Sequence, residues 1–155
     1  MASAASDRYV DAPRSPDRLI RDSLERIDEL MAKSAVELLT VNCKRLCDEL
    51  RQLHARFRMH DATCRLDPGE CTAMLEQRPE LASELRRVRD EHPHVLGLLD
   101  HLIRHVDSIV DQSAEDQEVF VLRLRELIAV FRRHEAEEDR IFHRAAWEET
   151  GGEGG

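Results

Sequence analysis

The chain has 155 residues, enough for one domain around one core and too few to divide comfortably into two. It is 35% charged, has five prolines and only 4% aromatic residues, and places four of its six glycines in the last five positions, a composition that suits helices and argues against a sheet. A formal charge of −9 with Arg interleaved among Asp and Glu excludes a nucleic-acid surface, which needs a basic stripe.

No apolar run approaches the roughly 20 residues needed to cross a bilayer, and "MASAASDRYVDAPRSPD" lacks the apolar segment of a secretory signal. The expectation is a cytosolic protein without membrane attachment. In that compartment Cys43, Cys47, Cys64 and Cys71 read as free thiols. Cys43 and Cys47, one helical turn apart, read as small core hydrophobes.

Residues 1–14 are small, polar and punctuated by proline, a tail that buries too little surface to offset its ordering entropy. Ser15 before Pro16 is a helix start, and Ile20, Leu24, Ile27 and Leu30 follow as an apolar stripe. The end of this first helix has two readings: a capping box at Ser34 and Glu37, or a second cap at Thr40–Asn42. A second helix carries Leu39, Cys43, Leu46, Leu50, Leu53, Phe57, His60 and Cys64 at spacings of three and four, and "LDPGE" stops it.

Residues 66–79 read as a loop with a short turn of helix around "CTAML", from which Cys71 could approach His60 and Cys64. The third helix runs through Leu81, Leu85, Val88, His92, Val95, Leu99, Leu102, Val106 and Ile109, with a kink predicted at His92 because Pro93 follows it. "SAED" caps a fourth helix whose stripe is Phe120, Leu124, Leu127, Phe131, His134, Glu138, Ile141 and Ala145, with Trp147 closing the bundle end. Residues 15–149 thus read as an all-α, antiparallel, up-down four-helix bundle, and residues 150–155 as a glycine-rich tail.

Polar residues interrupt these stripes. His60, His92, His134 and Glu138 lie on apolar faces, whereas His54, His94, His101, His105 and His143 lie off them. A buried charge needs a partner. Counting about 1.5 Å per residue from the turn near 111–114 places His92 and His134 level across a hairpin, and the same count places Ser23 opposite His60. Imidazoles and a carboxylate in a bundle core suit iron, manganese or zinc, and a spacing of four lets one helix supply both His134 and Glu138 to one metal.

On "RDEHPHVLGLLDHL", "RRHEAEEDRIF", "HARFRMHDATC" and the tail "ETGGEGG", the chain resembles hemerythrin-like (HHE) domains over residues 16–153. The resemblance implies a four-helix bundle with a non-haem di-iron centre. It implies that His92, His134 and Glu138 ligate one iron, with Glu138 able to bridge, and that His60 serves the other. Cys64 stands where the family's second-helix glutamate belongs, and Ser23 or Asp22 stands nearest the expected first-helix histidine, so the first half of the site departs from the pattern.

Three functions follow as expectations. One is a metal-binding protein that binds or senses oxygen, iron or redox state, using His60, His92, His134 and Glu138 with Cys64 as a soft ligand that shifts preference toward zinc. The second is a metal-free bundle serving as an interaction module. The third is an oxidoreductase acting on dioxygen or peroxide. Metal ion and dioxygen are the partners implied, and the sequence identifies no protein partner.

Overall fold

The computed structural model describes residues 16–66 and 76–150. Among them every regular element is helical. Of the tail expected at 150–155, Thr150 instead ends the last helix; the rest of it, the tail expected at 1–14, the cap at Ser15, the short turn at "CTAML", the approach of Cys71 and the packing of Trp147 fall outside the described residues or side chains.

Helix α1 spans Pro16–Met31 and buries Ile20, Leu24, Ile27 and Leu30, the face that its three-and-four spacing dictates. Both readings of its end are used. The Ser34 hydroxyl accepts the Glu37 N–H at 3.2 Å, which starts a six-residue helix, α2, at Ala35–Thr40. At its end the Asn42 amide donates to the Glu37 carbonyl at 3.2 Å, and the Asn42 carbonyl accepts from Leu46 N at 2.8 Å to begin α3, Cys43–Leu66. Leu39, expected on the long second helix, therefore belongs to α2.

The kink expected at His92 is a full break. Helix α4 spans Pro79–Arg89 and α5 spans His92–Val106. Between them Glu91 N–H reaches the Val88 carbonyl at 3.2 Å and Val95 N–H returns to the Glu91 carbonyl at 3.1 Å. Pro93 has no N–H to carry the helical ladder across this joint, which is why the break falls here. A 3₁₀ turn at Ile109–Asp111 follows. Ser113 then caps α6, Ala114–Thr150: its hydroxyl accepts from Asp116 N at 3.1 Å and donates to the Asp116 carboxylate at 2.7 Å.

Helix α1 packs on α3, α3 on α5, and both α4 and α5 on α6. The buried apolar residues divide into a main cluster, including Leu50, Leu53, Phe57, Val95, Leu99 and Phe131, and a smaller one of Leu81, Leu85, Val88 and Ile141. Each fully buried side chain of this kind contributes roughly 1.5–3 kcal/mol. The order of residues explains the division. On α6, His134 and Glu138 lie between Phe131 and Ile141; on the opposing segment, His92 lies between Val88 and Val95. A polar layer thus separates two apolar clusters. No helix of the described residues is long and apolar enough to cross a membrane.

A candidate metal centre

Three helices meet in this layer. Helix α3 contributes His60, the first residue of α5 is His92, and α6 contributes His134 and Glu138 one turn apart. All four are buried, with His92 at 0% and His134 at 1% exposure. One ligand atom from each lies within 4.8 Å of every other. His92 Nε2 and His134 Nε2 are 2.9 Å apart; Glu138 Oε1 lies 3.2 Å from His134 Nε2, 3.5 Å from His92 Nε2 and 3.3 Å from His60 Nε2. The level placement of His92 and His134 across the α5–α6 hairpin is thereby reproduced.

Phe57 holds the imidazoles in place. Its ring stacks on His60 at 5.7 Å and meets His92, His134 and Phe131 edge-on at 5.0, 5.9 and 5.0 Å. Packing on a rigid aromatic restricts each ring to one orientation. Burial by itself would raise the pKa of Glu138, but hydrogen bonds from His134 and His60 outweigh it and hold the carboxyl well below the usual carboxylate range. Glu138 is therefore an anion in an enclosed place, facing three imidazole nitrogens.

These separations suit a small cation. Four ligands at a metal–ligand distance of about 2.05 Å lie about 3.3 Å apart at tetrahedral corners, close to the 3.2–3.5 Å distances from the Glu138 carboxylate; the edge between His92 and His134 is shorter, at 2.9 Å, and all edges lie within 4.8 Å. Outer carboxylates stand behind two of the rings. His92 Nδ1 donates to Asp61 Oδ1 at 2.9 Å, which fixes the ring proton on Nδ1 and leaves Nε2 as a lone pair facing the cluster. Behind His134, Nδ1 faces Glu91 Oε2 at 3.8 Å, and both atoms are buried without a hydrogen-bond partner.

The remaining sequence-predicted residues have other roles. Cys64 is half-buried; its Sγ lies 3.7 Å from His60 Nε2, but it does not join the four-residue group. Ser23 is fully buried. Its hydroxyl accepts from Arg56 Nη1 at 2.5 Å, and the same nitrogen donates to the Leu19 carbonyl at 2.8 Å. Ser23 is thus held by Arg56, which stands one turn before His60 on α3. His54 pairs with Asp100 at 2.8 Å, His101 accepts from Arg123 at 3.1 Å, and His94, His105 and His143 are exposed; none of these five enters the group.

Asp61 and Glu91 escaped the sequence reading because neither lies on an apolar stripe. The available signal was adjacency: Asp61 follows His60, and Glu91 precedes His92. A narrow cleft of about 30 Å³ reaches the cluster, lined by Ile20, Phe57, Phe131 and Phe142 together with Arg21 and Asp139, whose side chains pair at 2.7 Å across α1 and α6. Comparison with protein-family models, with curated proteins and with solved structures finds no match to this chain.

Proposed function

We propose that this chain is a hemerythrin-like, antiparallel four-helix bundle that binds a single iron-type transition-metal ion through His60, His92, His134 and Glu138, and that it binds or senses iron, oxygen or redox state. The convergence of three Nε2 atoms and one buried carboxylate within 4.8 Å carries this reading. Nitrogen and carboxylate donors suit iron, manganese and zinc alike, and the resemblance noted in the sequence favours iron, with zinc as the alternative. The bound ion would supply Lewis acidity and, if iron, redox chemistry.

The residues around it orient the donors and restrict access. Asp61 presents the His92 lone pair, Phe57 stacks the rings, and Glu138 supplies the negative charge that offsets the cation. The adjoining cleft of about 30 Å³ has the volume of about one water molecule, which favours binding or sensing of a very small ligand over turnover of a bulky substrate. Metal analysis of protein purified without an affinity-tag histidine tests the proposal. A single equivalent of iron or zinc is expected, and it should disappear in His134→Ala.

A metal-free interaction module is the competing reading, favoured by the 2.9 Å contact of His92 with His134 and by the imidazole contacts to Glu138, through which the cluster meets part of its own hydrogen-bonding need. Failure of the unaltered chain to take up iron, zinc or manganese under any loading condition decides for it. Peroxide or dioxygen consumption that depends on metal and vanishes in His134→Ala would instead make the centre an oxidoreductase site.

A further inference from the structure

The two outer carboxylates are in different states. Asp61 already holds the Nδ1 proton of His92 at 2.9 Å, whereas Glu91 Oε2 stops 3.8 Å from His134 Nδ1 and neither of these two buried atoms has a hydrogen-bond partner. Proton counting explains the gap. A neutral imidazole carries one ring proton. With both rings neutral and the His92 proton on Nδ1, the 2.9 Å contact between the two Nε2 atoms is made by a proton on His134 Nε2. His134 Nδ1 is then a lone pair, and it faces a carboxylate oxygen: two acceptors, which cannot bond.

We infer that metal binding closes this gap, so that Glu91 docks on His134 and couples occupancy of the centre to the joint between α4 and α5. The inference rests on the metal-binding reading above. A metal takes the Nε2 lone pair of His134, so the ring proton leaves Nε2 and is carried at Nδ1; the ring keeps one proton and the count balances. Nδ1–H then donates to Glu91 Oε2, and both unpartnered atoms are satisfied at once. Such an outer hydrogen bond also makes the ring a better ligand.

Position gives this bond its consequence. Glu91 occupies the break between α4 and α5, where Pro93 interrupts the helical ladder, so the backbone there adjusts at lower cost than inside a helix. His134 lies mid-way along α6, against which both α4 and α5 pack. A new bond from His134 to Glu91 therefore fastens this joint onto α6. Asp61, already bonded, positions His92 with or without metal.

The experiment titrates Zn²⁺, chosen because it is diamagnetic, into the full chain and reads three things: affinity, the protonated nitrogen of His134 by ¹⁵N imidazole spectra, and amide exchange over residues 89–93. In the unaltered chain, zinc should move the His134 proton from Nε2 to Nδ1 and slow exchange at the joint. Glu91→Ala should bind zinc about ten- to a hundredfold more weakly and show no slowing; Glu91→Gln, which keeps an acceptor oxygen, should recover part of both. Asp61→Asn should weaken zinc binding while leaving the zinc-dependent slowing intact. Zinc uptake with unchanged exchange at 89–93, or equal affinity in Glu91→Ala, overturns this inference and leaves the metal centre standing. Absence of zinc uptake by the unaltered chain overturns both.

Discussion

The two walls of the polar layer solve the same problem with opposite chemistry. On the α5–α6 wall, His92, His134 and Glu138 direct ring nitrogens and a carboxylate at one point, with Asp61 and Glu91 behind the rings. On the α1–α3 wall, one turn before His60, the guanidinium of Arg56 bonds the fully buried Ser23 and the Leu19 carbonyl. The first wall is electron-rich and could hold a cation from outside. The second carries its own cation, so a further metal on that side would meet a positive charge in place of ligands. Buried polar groups must be satisfied, and the difference between an external and a built-in cation sets the stoichiometry proposed above at one ion.

Removing the residue that joins the two walls breaks the comparison most severely. Phe57 belongs to α3 but packs on His60, His92, His134 and Phe131 and is 1% exposed. Phe57→Ala is expected to cost about 3–5 kcal/mol of stability, measured by urea unfolding, and to weaken metal binding because the rings lose their common support. A loss below about 1 kcal/mol would mean that the walls are independent.

The next effect is confined to the electron-rich wall. Glu138→Ala leaves three imidazoles around a buried position with no anion, and zinc affinity should fall by more than the roughly hundredfold attributed to an outer-shell change, read by titration calorimetry. In the metal-free state the same substitution removes the acceptor shared by His60 and His134. A variant that binds zinc as tightly as the unaltered chain would place the metal elsewhere.

The reach of the sequence divides along the same line. Helical periodicity found His60, His92, His134 and Glu138, because an ionisable residue on an apolar stripe is conspicuous when its neighbours at three and four residues are Leu, Val and Phe. It also placed His92 level with His134, since both positions count from one tight turn and a helix rises by a fixed amount. The α1–α3 side was less legible for the converse reason: α2 intervenes between the two helices, so a count through a single turn does not apply there, and it gave no sign of Arg56 as the partner of the Ser23 hydroxyl. Asp61 and Glu91 were invisible to a search along stripes, because they reach the rings from the side. The break before His92 was half-legible, with Pro93 marking its place but not whether the helix bends or ends.

On the other wall, Arg56→Met keeps the packing of the aliphatic stem and removes the donors. The buried Ser23 hydroxyl then loses its partner, an expected cost of about 1–3 kcal/mol with zinc affinity unchanged. If affinity instead rises and a second equivalent of metal is taken up, Arg56 is what keeps this wall from holding an ion.

The smallest effect is expected at Cys64, and it tests where one wall stops. Its Sγ lies 3.7 Å from His60 Nε2, one turn farther along α3, half-buried and outside the group of four. A thiol at that distance makes only a weak contact, so Cys64→Ala should change zinc affinity by less than about threefold, below the range of an outer-shell contact. Cobalt substitution gives an independent readout: a thiolate ligand adds an intense sulfur-to-cobalt absorption band that imidazole and carboxylate do not. A centre held by His60, His92, His134 and Glu138 gives spectra that are the same with and without the thiol. A band that disappears in Cys64→Ala, together with a large loss of affinity, would show that α3 delivers two ligands as α6 does, and the asymmetry between the walls would then lie in Arg56 and Ser23 alone.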